Sequence, residues 1–453
     1  MLKRFINDNL DLADQVINNR HKLRSYIAAS WAICWPMMLI MFFEFLITII
    51  DVYVAGTITK DIQAAYGFVL QLYFILTVIA IIINVGTVSI ISRTFTGGDK
   101  ARLSQAVVSA MLTGLVSGLA CAFVGFFIFP LVITHVSVPD VVKHYAVPLI
   151  RFYSLGIIFA FPLINSNGIL RSTKQVRNSL KTMAIVCTLN IALNFYLVFK
   201  TPLGFRGIAA STAISLMVGA FLNFTYIKRF IVTPIHYSAA FVKQIAAIGW
   251  PIGFLQIAWQ TGTAVIYLIL SHVPENNVEI LAALTNGMRI ESAIFLPIFA
   301  FNMSNAALIG NALGANNKTE AFRIGLVTAG LGFCMCIVLT LAVIANAPFL
   351  AGLVSHNEIV IRESVRYLYI SMICEPIMAI GVILSGALNG AGDTKSVMIR
   401  VVASFWLIRI PLSCLFIFVL GLGAVSVWWA MNISLIAHAT FIAQRYFSKK
   451  WLH

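Results

Sequence analysis

The stretch LIMFFEFLITIIDVYVAG, Leu39–Gly56, is apolar except for two carboxylates, Glu44 and Asp51. It closes a longer apolar segment, 26–51, which is long enough to cross the hydrocarbon of a bilayer. The two acids lie seven residues apart, about two helical turns, and so share one helix face. Charge inside hydrocarbon is expensive and generally marks function, so this face sets the questions for the rest of the chain.

The composition extends the membrane reading to the whole sequence. Of 453 residues, 60% are hydrophobic and only 10% are charged, too apolar for a soluble protein of this length. The first 24 residues are polar and lack a short apolar core with a small-residue cleavage site, so the first apolar segment is expected to be a true span rather than a removable leader. A formal net charge of +15 could suggest nucleic acid, but in a membrane protein excess Lys and Arg reflect topology, and no nucleic-acid partner is expected. The seven cysteines all fall in apolar segments and read as small buried hydrophobes; Cys334 and Cys336 do not have a zinc or redox spacing.

Apolar runs between polar breaks predict twelve spans: 26–51, 62–92, 104–134, 144–170, 179–199, 207–227, 244–271, 280–309, 324–353, 365–388, 397–420 and 424–444. The basic residues flanking them divide 22 against 6 between the two sides, with the N-terminal segment (including Lys3 and Arg4) and the tail (Arg445, Lys449, Lys450) on the richer side. Both termini are therefore expected in the cytoplasm, which requires an even number of spans. Three basic residues, Arg151, Arg289 and Arg409, fall within or at the edge of spans.

The sequence also repeats itself. VSVPDVV at 136–142 corresponds to VSHNEIV at 354–360, Gly168 and Leu170 to Gly386 and Leu388, and GGDK ending at Lys100 to ANNK ending at Lys318, all at an offset of 218. Trp35-Pro36 corresponds to Trp250-Pro251 at an offset of 215. The chain thus divides into an N-terminal lobe, 1–235, with the first six helices, and a C-terminal lobe, 236–453, with the last six. Six is even, so the halves enter the membrane in the same sense and form a parallel repeat about a pseudo-two-fold axis.

Several motifs, in order along nearly the whole chain, resemble the multidrug and toxic compound extrusion (MATE) family: DVYVAG, GTVSIISRTFTGGDKARL, NGILRS, NIALNFYLVF, MRIESAIFLPIFAFNMSNAALIGNALGANN, SGALNGAGDTK and IRIPLS. The resemblance implies an all-α polytopic membrane protein of two six-helix lobes around a V-shaped central cleft. It also implies export of bulky cationic or amphipathic organic compounds by antiport with H+ or Na+, in the bacterial inner membrane. A monomer without cofactor or enzymatic activity is expected. The broader superfamily contains flippases for lipid-linked precursors, and these are the alternative; their pyrophosphate cargo would want a strongly cationic cleft, whereas the intramembrane charges here are mainly acidic.

Only four of the sixteen acidic residues, Glu44, Asp51, Glu291 and Glu375, fall within or against spans. An acid near a helix C-terminus opposes the macrodipole, so Asp51 would make a poor cap. The resemblance places Asp51 at the family's ion-binding acid of the first helix, with Asn190 and Asn194, one turn apart on the fifth, as partners and Asn167 and Thr212 completing the shell. Some members carry an acid where this chain has Asn194, and amide and hydroxyl oxygens beside one carboxylate suit either a proton network or Na+ bound at Asp51, Asn190 and Asn194. Glu375, Glu44 and Glu291 are candidates for a second acidic site, Glu291 also for an ion pair with Arg289. Gln256 and Gln260 are candidate polar residues of the cleft, because the seventh helix lacks the acid that some members place there. Pro36 kinks the helix that carries Asp51 and is the expected hinge. The histidines are scattered singly and no Walker motif is present, which leaves no basis for an intramembrane enzyme or an ATP-driven pump.

Overall fold

The computed structural model describes residues 20–273 and 276–452; the expected N-terminal charges Lys3 and Arg4, and the loop acid Glu275, lie outside them. The described residues form helices and connecting turns, with no strand among them. In chain order the helices are α1 Arg20–Ile58, α2 Lys60–Thr96, α3 Lys100–His135, α4 Asp140–Ser172, α5 Val176–Lys200, α6 Arg206–Phe230 and α7 Ala239–Leu270. They continue with α8 Asn277–Gly314, α9 Lys318–Ala345, the short α10 Ala347–Val354, α11 Glu358–Ser371, α12 Glu375–Gly390, α13 Thr394–Val419 and α14 Ala424–Phe447. Eleven are long and apolar enough to cross a membrane, and α11 and α12 together match that length and composition across a sharp bend, which brings the number to twelve when the pair counts as one span. The chain is a multi-pass all-α membrane protein.

The expected tenth span, 365–388, carries a bend: α11 and α12 meet at 59°. Its cause is local. Pro376 occupies the first turn of α12 and has no N–H to bond backward, so the ladder stops at Ser371 and restarts at Glu375. Proline also marks the π-turns: Pro130 follows Val124–Ile128 in α3, and Pro411 separates Ala403–Arg409 from Leu415–Val419 in α13. α1 continues to Ile58, two turns past the expected end, which sets Asp51 inside the helix.

The repeat is visible in local geometry. Asp99 caps α3 by accepting from the Arg102 amide at 3.0 Å, and Asn317 caps α9 by accepting from the Glu320 amide at 3.1 Å. Asn84 of α2 donates to the Ile164 carbonyl of α4, and Asn302 of α8 donates to the Val382 carbonyl of α12. Left-handed backbone recurs at Gly98 and Asn316, and at Lys174 and Gly392. Every one of these pairs is separated by 218 residues.

Packing divides the chain into two compact units whose limits fall inside helices, at 34/35 in α1 and 253/254 in α7. Both limits lie within a turn of a Trp-Pro pair, Trp35-Pro36 and Trp250-Pro251. In the unit Trp35–Gly253, α4 packs against α2, α3 and α6, and α5 against α6. One of its cores gathers Val54, Ile62, Val69, Leu149, Ile150 and Ile208 around the buried tyrosines Tyr66 and Tyr153. The first half of α7 lies directly on α2: a Cβ at Gly86 would run into the Ile245 backbone, and one at Gly249 into the backbone of Ile82. In the other unit, α12 packs against α8, α9 and α14. The first half of α1 joins it, with Ser30 and Thr328 hydroxyls hydrogen-bonded at 2.8 Å. Such close backbone approach through small residues is how helices associate where hydrocarbon supplies no hydrophobic drive.

Candidate functional site

Asp51 is 2% exposed, and four other helices of its unit place polar groups around it. Asn194 of α5 donates to Asp51 Oδ1 at 2.5 Å. Asp51 Oδ2 receives Thr212 of α6 at 3.2 Å, Tyr153 of α4 at 3.3 Å and Tyr66 of α2 at 3.4 Å. Asn190 donates to the Thr212 hydroxyl at 3.1 Å, which extends the chain one link farther. Hydroxyl and amide donors of this kind hold a carboxylate that apolar surroundings would otherwise disfavour.

The oxygen inventory leaves room for more than hydrogen bonding. The side-chain carbonyl oxygens of Asn190 and Asn194 are buried and have no hydrogen-bond partner among the described residues. Together with the Asp51 carboxylate and the Thr212 hydroxyl they supply hard oxygen donors to which either a proton or a sodium ion is chemically suited. Among the described residues no group of three or more His, Cys, Asp or Glu is placed to hold a metal ion.

Four sequence-predicted residues, Asp51, Asn190, Asn194 and Thr212, thus come together. Asn167 does not, and the expectation is corrected: its Oδ1 accepts from Ser179 and from Asn223, both at 2.7 Å. It sits on α4 fourteen residues beyond Tyr153, about 21 Å along the helix axis. Tyr66 and Tyr153 were not singled out by sequence; the available signal was a tyrosine inside an apolar span, which also fits ordinary interfacial placement.

Glu44 shares the face of Asp51 but not its burial, since its side chain is exposed. It lies within electrostatic reach of Arg171, a buried residue whose guanidinium donates to Asn84 Oδ1 at 3.3 Å and to the Met37 sulfur at 3.7 Å. Gln256 is half-buried and Gln260 exposed; both lie on α7 and neither lines the cavity described next.

The second unit holds Glu291 and Glu375 in one cavity of about 50 Å³, lined also by Tyr367, Ser371, Arg409 and Asn432. Tyr367 donates to Glu291 Oε2 at 3.0 Å. Glu291 is buried against this tyrosine, whereas Arg289 is exposed; no ion pair joins the two among the described residues. The volume suits water or a small ion and falls far below the ~300 Å³ at which pockets for drug-sized ligands begin.

Fold and site define an all-α polytopic membrane protein with two buried acidic centres, one in each half of an internal repeat. The chain belongs to the MatE family, whose model matches residues 36–196 and 251–415, beginning at Pro36 and again at Pro251. It is 22% identical to the multidrug resistance protein NorM of Burkholderia vietnamiensis, over 91% of this chain and 92% of that one. It is 24% identical to a probable multidrug resistance protein, YpnP, of Bacillus subtilis, over 82% and 84% of the two chains. Two solved structures share the fold at 19% identity, covering 94% of this chain and 97% of theirs. One is a multidrug resistance MATE family transporter in an outward-facing conformation, at a TM-score of 0.85. The other, from Pyrococcus furiosus, is a superfamily transporter described as having a binding pocket of reversed polarity, at a TM-score of 0.86.

Proposed function

We propose that the chain is a secondary active multidrug exporter that extrudes cationic or amphipathic organic compounds by antiport with H+ or Na+. Alternating access of two six-helix lobes would carry the cargo across a bacterial inner membrane, with both termini in the cytoplasm. The observation that carries this reading is the convergence of Asn194, Thr212, Tyr153 and Tyr66 on the buried Asp51 carboxylate. A lone acid held this way can exchange a positive charge without exposing itself to lipid. Filling or emptying it changes how many donors it can accept, and that difference can bias one conformation over another.

The test is transport of a fluorescent organic cation in proteoliposomes, with proton and sodium gradients imposed separately. Asp51→Asn abolishes gradient-driven transport while the protein still elutes and melts as folded. Undiminished transport by that variant removes the assignment, and the gradient that drives the parent identifies the ion.

A further inference from the structure

The second-unit cavity differs from the Asp51 centre in one respect: it contains a cation of its own. Arg409 lies at the end of a π-turn in α13 and is 6% exposed. Its Nε donates to the Ser434 hydroxyl of α14 at 2.7 Å. Its guanidinium stands over the rings of Phe405 and Trp259, 4.3 and 5.6 Å from their centroids. These contacts hold it from behind, and no carboxylate comes within ion-pair distance among the described residues. Arg409 therefore acts on Glu291 and Glu375 across the cavity rather than by direct contact.

Oxygen donors are not what the cavity lacks. Glu375 Oε2 and Asn432 Oδ1 are buried without a hydrogen-bond partner among the described residues, and with the Glu291 carboxylate and the Ser371 hydroxyl they line the space. By oxygen count alone this would suit a hard cation as well as the Asp51 centre does. Arg409 reverses the balance, because a guanidinium does not deprotonate in proteins and cannot leave. Two carboxylates and one guanidinium leave one negative charge, which a proton cancels without a coordination shell. A sodium ion would need that shell while facing a fixed positive charge. The 218-residue offset aligns Arg409 with Ile191, between the neutral amides Asn190 and Asn194, and no Lys or Arg is among the groups acting on Asp51. The other titratable groups around the cluster are Tyr367 of α11, His438 of α14, and Cys336 and Cys374, both within reach of the Glu375 charge.

We propose that Arg409 is the resident cation of this cavity and closes it to sodium, so that Glu291 and Glu375 exchange protons only. This rests on the ion-coupled reading above and assigns the ion selectivity of its second acidic centre. The test is binding of radiolabelled sodium to purified full-length protein in the Asp51→Asn background, which silences the first centre. The parent shows no sodium binding that Glu375→Gln removes. Adding Arg409→Gln raises sodium affinity on the order of a hundredfold, the scale of one unit charge removed at short range in a protein-like dielectric. Glu375→Gln cancels that gain, and Arg409→Lys does not produce it. Sodium binding by the parent that depends on Glu375, or a folded Arg409→Gln protein with no gain, overturns the proposal.

A second measurement needs no arginine variant. In acid–base titration the parent takes up one more proton per chain than its Glu375→Gln derivative across the accessible pH range; equal uptake also overturns the proposal. Neither measurement uses transport, so their failure is separate from failure of the Asp51 assignment in proteoliposomes.

Discussion

The side-chain amide of Asn194 and the carboxylate of Asp51 meet at 2.5 Å, joining residues 143 positions apart on α5 and α1. Asn194 has two roles in this contact: its nitrogen holds the acid, and its own oxygen is left unpartnered beside it. Asn194→Ala removes both, and leaves one carboxylate oxygen of a buried acid without its donor. The expected cost is about 1–3 kcal/mol, seen as a lower melting temperature in detergent. Transport falls at least as far as stability predicts. A variant with full transport and unchanged melting would show that the contact is incidental.

Thr212 separates hydrogen bonding from shape. Its hydroxyl donates toward Asp51 and accepts from Asn190, so Thr212→Val keeps the volume while breaking both links. The valine variant should lose transport and about 1–3 kcal/mol of stability, because the Asn190 amide is left without its acceptor while Asp51 Oδ2 keeps only the two tyrosine donors. Thr212→Ser should keep most of both. Comparing initial rates and melting curves for the two variants distinguishes the hydroxyl from the methyl.

The repeat predicts an asymmetry between two equivalent glycines. A Cβ at Gly168 would sit 2.9 Å from the side-chain amide of Asn84 and 3.1 Å from the Val88 side chain, both of which can shift at the cost of straining the Asn84 hydrogen bonds. A Cβ at Gly386 would meet the backbone of Asn302, which cannot. Gly386→Ala is therefore expected to destabilise by about 1–3 kcal/mol, the usual range for overpacking, and Gly168→Ala by less. Equal melting temperatures for the two would contradict this.

Asp393 and Arg445 form a 2.6 Å ion pair, with side chains 15% and 18% exposed, that ties the α12–α13 turn to α14. Partial burial places its disruption between a free surface pair and a fully buried one, at about 1–3 kcal/mol for Arg445→Met. The double variant with Asp393→Asn should recover part of this loss, since no unpaired charge then remains. A double-mutant cycle on melting temperatures measures the coupling.

Much of this molecule was legible in its sequence because hydrocarbon makes polar residues conspicuous. Asp51 stood out as a carboxylate in an apolar span, and the family resemblance supplied Asn190, Asn194 and Thr212 as its neighbours. The twelve spans followed from run lengths, and the repeat from short matches at one offset. What stayed hidden depended on depth and rotation about helix axes. Tyr66 and Tyr153 carried no spacing that tied them to Asp51. Asn167 is on the right helix but four turns from the site. Glu44 shares the Asp51 face and ends in an exposed position, because a common face does not fix burial at every level. Arg409 was noted only as a charge near a span edge; its relation to Glu291 and Glu375 arises from α8, α12 and α13 packing together. The break at Ser371 was signalled by Pro376, but a mid-span proline predicts a kink as readily as a break.

The two Trp-Pro pairs have a consequence for how this polypeptide could be taken apart. Because α1 and α7 each change packing unit at those positions, a cut in the α6–α7 connection would not release two self-sufficient fragments. The first would lack the α7 turns that cover Ile82 and Gly86, and the second would lack the α1 turns that bring Ser30 to Thr328. Each half is a template the other must complete. Gene fission at this joint should therefore yield function only when both pieces are made in the same cell.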